Sequence, residues 1–262
     1  MFHVTETGVH STRKVPKSTG YEDDMLALTR DTIGQRSKHD IETVVLQQVD
    51  NDASLVRERL QNRQLQSLTH DEQCAWVRFI MSLRIRAPEV VHDLISQSET
   101  ELRRSLANNP NEYVELADAN DPASLEDWTE SKYPGLIANF GLTFYHDLLN
   151  DDAVGNKLLR LKWWVFDVSN APNPLLLGDR PCIFFGGIDD PNLAVALPIA
   201  HDKVFIATRG QMLGHSLPRV KPSELVRRVN DATVAQADKY IYARDDRCLR
   251  FVQNRRSFAM PK

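Results

Sequence analysis

The hydrophobic period of this chain changes near residue 160, and no other feature of the sequence limits its fold as strongly. Before that point apolar residues recur at intervals of three and four, the spacing of one helix face. After it they fall in short aromatic and β-branched runs bounded by Gly, Pro, Asn or Asp. The clearest helical signal is Thr69-His70-Asp71-Glu72, a capping box whose hydroxyl and carboxylate satisfy each other's backbone donors. It leads into Trp76, Phe79, Ile80 and Leu83, and the helix should stop at Arg86-Ala87-Pro88, because proline disfavours helical geometry in the residue before it. Pro88 then opens a second helix striped by Val91, Leu94, Ile95, Leu102 and Leu106.

Other helices are expected from Asp40 through Val49, around Leu55–Leu60, after Asp121-Pro122, and from 134 to 150, where Gly141 weakens the pattern. A short helical turn is expected from Tyr21 to Leu28. Strands are expected at 163–168, 175–177, 183–185, 193–197, 204–206, 240–242 and 249–252, with one helix opened by Pro222. Strands grouped together, not alternating with helices, predict an α+β fold: a helical N-terminal half packed on a mainly antiparallel β-sheet in the C-terminal half. The expected division is an irregular lead-in over 1–38, a helical part over 39–155 and a β-rich part over 156–262, together one compact domain.

With 262 residues, 42% of them apolar, such a chain buries a sizeable core without disulfides or a structural metal. Its three cysteines, Cys74, Cys182 and Cys248, are far apart and match no zinc-ligand spacing, so no metal and no cofactor is expected, and a reducing cytoplasm is the natural compartment. No run approaches the roughly 18 apolar residues of a membrane span, and Met1–Glu6 does not read as a secretory signal. The formal charge of −4 is uneven. Residues 1–150 carry 15 basic and 24 acidic side chains, and residues 151–262 carry 17 and 12. A basic second half admits a phosphate-bearing ligand or nucleic acid as partner, although the excess is small and solvated surface is the simpler account of it.

Several segments in sequence order resemble the bacterial Domain of Unknown Function 4238 family. They are Trp164-Val165, Leu177-Gly178-Asp179-Arg180-Pro181, Leu197-Pro198-Ile199, Val229-Asn230 and Ala237-Asp238-Lys239-Tyr240-Ile241-Tyr242-Ala243, preceded by Leu83-Arg84-Ile85-Arg86-Ala87-Pro88. The resemblance covers roughly residues 40–245. It lacks the His-Tyr-Val-Pro-like opening common in that family, whose place His3 or His10 would have to fill. It implies a fold and a set of positions, but no reaction.

Asp179 and Arg180 are the leading candidate site, since they follow an apolar run and Gly178 lets the chain turn there. Asp179 can act as base or cation ligand and Arg180 can clamp an anion; equally, the aspartate can tie a turn and the arginine can be its ion-pair partner. His201, beside Asp202, is a further catalytic candidate. Arg84, Arg86 and Asn230 are candidate binding residues, with helix-end electrostatics and a buried amide tie as their structural readings. Phosphate-loop, nucleophile-elbow, metalloprotease and dinucleotide motifs are absent. The expected function is therefore a ligand- or partner-binding module with a regulatory or defence-linked role. The alternative is a hydrolase acting on a phosphate-bearing or nucleic-acid substrate through Asp179 and Arg180.

Overall fold

A computed structural model of the chain describes residues 1–5, 8–13, 46–108, 110–210 and 216–259. The fold is α+β, and the chain divides into two compact units. One holds residues 1–21, 52–84 and 152–262; the other holds 22–51 and 85–151. The expected turn at Tyr21–Leu28 and the cap at Asp40 lie outside the described residues.

The first unit contains two four-stranded sheets, antiparallel at every pairing. One has the order β3 (Lys162–Asp167), β7 (Lys203–Thr208), β6 (Ala194–Ala200), β5 (Ile183–Phe185). Alternation along β7 explains its packing. Phe205 and Ala207 join Val195 and Leu197 on one face, against Val56 and Leu60 of α1 (Gln47–Gln61), Trp76 and Ile80 of α2 (His70–Ile85) and Leu158 of α8 (Asp152–Leu159). Val204 and Ile206 lie on the other face, against Leu225, Val226 and Val229 of α9 (Pro222–Gln236). A sheet covered on both faces needs continuous apolar strands, and five of the six residues of β7 are buried.

The second sheet has the order β2 (Gly8–Ser11), β1 (Phe2–Thr5), β8 (Tyr240–Tyr242), β4 (Leu177–Gly178). Two strands therefore arise within the stretch read as an irregular lead-in. They are four residues each, and their anchor is remote: Phe2 pairs with Ile241 and is fully buried. The expected strand at 249–252 is instead the start of α10 (Leu249–Ala259), with Cys248 and Val252 buried one turn apart beside Ile241 and Val234. A four-residue apolar run fits either period, and here the helical one wins because α9 offers a surface for it.

In the second unit, α3 (Pro88–Ala107) packs on α6 (Leu136–Thr143), accompanied by α4 (Pro110–Leu116), α5 (Leu125–Lys132) and α7 (Tyr145–Leu149). Its core gathers Leu46, Val91, Leu142, Tyr145 and Leu149. Ser124, not Asp121, caps α5, its hydroxyl accepting from Asp127 N at 3.0 Å. Gly141 marks the crossing: a Cβ there would stand 2.8 Å from the Leu94 carbonyl oxygen and 3.0 Å from Ile95 Cα. No helix among the described residues is long and apolar enough to cross a membrane.

Candidate functional site

Asp179 leaves the end of β4, where the sequence places it, but its carboxylate is occupied. Oδ1 accepts from Asp238 N at 2.8 Å and from Arg180 N at 3.1 Å; Oδ2 accepts from Lys239 N at 2.6 Å and from Tyr240 N at 2.9 Å. A carboxylate has about four lone-pair sites, and backbone donors fill them all. Asp179 N also donates to Tyr240 O at 3.0 Å, so the residue ties the exit of α9 into β8. Beside it, the Gln236 amide donates to the carbonyls of Arg180 and Cys182, and Arg256 donates to Ala237 O. Burial lowers the pKa of Arg256, while Asp179 and Asp238 oppose that shift.

Asn230 is buried and holds a second join. Its Oδ1 accepts from Leu176 N at 2.8 Å and its Nδ2 donates to Pro174 O at 2.9 Å. Leu175 N in turn donates to His201 O at 2.8 Å. Residues 174–176 are thereby fixed between α9 and the β6–β7 turn.

That fixed segment is one wall of a cleft of about 580 Å³ inside the first unit. Trp76, Phe79 and Leu83 line it from α2, Leu175–Leu177 from the wall and Leu197–Ile199 from β6. Trp76 is fully buried and held edge-on to Phe205, with ring centroids 5.5 Å apart. The charged lining groups are Arg57 from α1 and Arg244 after β8, with His201 at the β6–β7 turn and Tyr242 beside them. Arg57 is exposed and makes no ion pair among the described residues. Arg244 Nη1 donates to His201 Nε2 at 3.1 Å, and His201 Nδ1 stands 3.8 Å from Asp202 Oδ1, too far for a hydrogen bond. Among the described residues, no carboxylate, serine, threonine or cysteine belongs to the lining.

Of the candidates read from sequence, only His201 lines this cleft, and Asn230 acts on it through the wall it anchors. Arg84 sits over the Phe184 ring, 4.6 Å from its centroid. In the second unit Arg86 grips Asp50 with two hydrogen bonds of 3.1 and 3.0 Å. Arg59 and Arg63 are likewise spent, on Glu72 and Asp167. Neither Arg57, in the same run, nor Arg244 stands out in the sequence. No local motif distinguishes them; their meeting depends on the strand order.

Among the described residues no group of three or more His, Cys, Asp or Glu side chains is placed to hold a metal ion. A model of the family described as Protein of unknown function (DUF4238) matches residues 1–247. The match takes in β1 and β2, which the resemblance read from sequence had left out. No curated protein and no solved structure matches the chain.

Proposed function

We propose, from the premise that this chain belongs to the DUF4238 family, that it is a ligand-binding module whose cleft takes an amphiphilic anion. The ligand has an apolar body lying over the half-buried Phe79, Leu83 and Leu177, and a carboxylate, phosphate or sulfonate head between Arg57 and Arg244. The observation that carries this reading is the lining itself: an apolar cleft with arginines as its charged groups and, among the described residues, no carboxylate to oppose an anion. Pockets of this kind use a few placed polar groups to orient a ligand that apolar area holds.

Binding without turnover is favoured because, among the described residues, the cleft offers no serine, threonine or cysteine nucleophile and no acid–base pair, and because the Asp179 carboxylate is committed to four backbone donors. The electrostatics agree with the sign of the ligand. The first unit carries 25 Lys and Arg against 16 Asp and Glu, net +9, a field that draws anions towards the cleft. Three free thiols suit a reducing cytoplasm.

The probe for this reading is 1-anilinonaphthalene-8-sulfonate, an apolar ring system with one anionic group. The native protein should bind it saturably with enhanced fluorescence, and Arg57→Gln and Arg244→Gln should each weaken binding by about tenfold, the value of one charge-assisted contact, with melting unchanged. Affinity indifferent to both substitutions would remove the anion from the account.

A further inference from the structure

The first unit contains a second hollow, of about 410 Å³, lying between the facing sides of α9 and α10 and closed by the loop at Pro172-Asn173. Ser223, Arg227 and Asn230 come from one stripe of α9, and Arg247, Phe251 and Arg255 from the approach to α10 and one side of it. Three arginines therefore line one cavity, and among the described residues no carboxylate lines it.

The acids that balance these arginines hold them from outside that lining. Glu224 takes Nε and Nη2 of Arg227 at 3.0 and 2.9 Å. Asp231 bridges Arg227 Nη1 and Arg255 Nε at 3.2 and 2.6 Å. Asp245 takes Nε and Nη2 of Arg247, at 3.0 and 2.8 Å. Glu224 also takes Arg228 at 2.7 Å, so four guanidiniums face three carboxylates and one positive charge is left over. Nη1 of Arg247 and Nη1 of Arg255 have no hydrogen-bond acceptor among the described residues. Carboxylates that fix arginine forks while leaving donors unused make a preorganised anion site, because the side-chain ordering cost is met before the ligand arrives.

We infer that this hollow is a phosphate site, distinct from the amphiphile cleft, and that its ligand is a small phosphate monoester. The phosphate oxygens accept from Arg247 and Arg255, whose forks suit that group, and the remainder of the ligand lies against Phe251. Ser223, exposed in the first turn of α9, lines the same hollow.

The test is calorimetric titration of the full chain with adenosine monophosphate, glycerol 3-phosphate and adenosine. Both phosphates should bind and adenosine should not; the better of the two shows whether a planar ring is part of the ligand. Arg247→Gln should weaken phosphate binding by about tenfold. Because that substitution also releases Asp245, Ser223→Asp supplies a variant in which folding is protected. An acid in the first turn suits the helix dipole, yet places a negative charge in the hollow, so the melting temperature should hold or rise while phosphate affinity falls by about tenfold or more. Failure of both phosphates to bind, or equal binding by the native and Ser223→Asp proteins, overturns the proposal.

Discussion

At the scale of single residues, polar side chains join segments far apart in sequence, and the cleft depends on those joins. Replacing Asp179 by Asn leaves one acceptor oxygen where there were two and sets an amide N–H₂ against the donors of Lys239 and Tyr240. The expected loss is about 2 kcal/mol of stability, measured by denaturant unfolding. Ligand binding by the folded fraction should be unchanged, which a catalytic or ligand-contacting aspartate would not allow. Asn230→Ala should cost a similar amount, and it should also loosen the wall at residues 174–176. Thiol chemistry gives a second residue-scale reading. Cys182 packs against the core and burial pushes its pKa up to about 12, and Cys248 is buried with its pKa also raised. Native alkylation should therefore modify Cys74 and spare the other two until the protein unfolds. The sequence made Asp179 and Asn230 visible as polar groups in apolar surroundings. It did not make Arg57 and Arg244 visible, because an arginine beside a cleft and an arginine in water have the same neighbours in sequence.

At the scale of elements, local signals were legible wherever the chain satisfies its own backbone. The box at Thr69 and Glu72 forms as its spacing requires: Thr69 N donates to Glu72 Oε2 at 2.8 Å and Glu72 N to Thr69 Oγ1 at 3.3 Å. Thr69→Ala should destabilise by about 1 kcal/mol. Elements defined by remote partners were not legible in the same way. The β1–β2 pair was missed because its strands are short and polar and depend on Ile241, and α10 was mistaken for a strand because Leu249–Val252 fits either period. Gly141 lies between these cases. In sequence it is only a poor helix former, whereas in the fold it is the point where α6 meets the α3 backbone. Gly141→Ala gains helix propensity but drives a methyl group into the Leu94 carbonyl, and the net result should be a loss of about 1–3 kcal/mol, read from thermal melts.

At the scale of the whole molecule, charge separates by unit more sharply than by sequence half. The second unit carries 7 basic and 20 acidic side chains, net −13, against +9 for the first. Division at residue 150 blurs this, because residues 1–21, net +2, and residues 52–84, net +1, belong with the sheets. Stability should depend on pH at both ends. Hydrogen bonds from Arg227 and Arg228 lower Glu224 from 4.5 to about 2, and Ser169 and Arg63 lower Asp167. Carboxylates depressed in the folded state stabilise it above their ordinary range, and this contribution disappears as pH falls from about 4.5 towards 2. Cys182 acts in the opposite direction. Above pH 9 the unfolded chain releases a thiol proton that the folded chain retains, so stability declines as pH rises towards 12. Melting temperatures across that range should give a plateau with two falling flanks, and Cys182→Ala should flatten the alkaline one.

The central claim, an apolar cleft with a cationic rim, is tested most directly by calorimetry with two ligands that differ only in the head group, decanoate and decanol. Decanoate should bind one site per chain, decanol should bind about tenfold more weakly, and Arg57→Gln with Arg244→Gln should bring the two together. Equal affinities in the native protein, or heats that persist unchanged when Ala200 at the cleft wall is replaced by Trp, would contradict it.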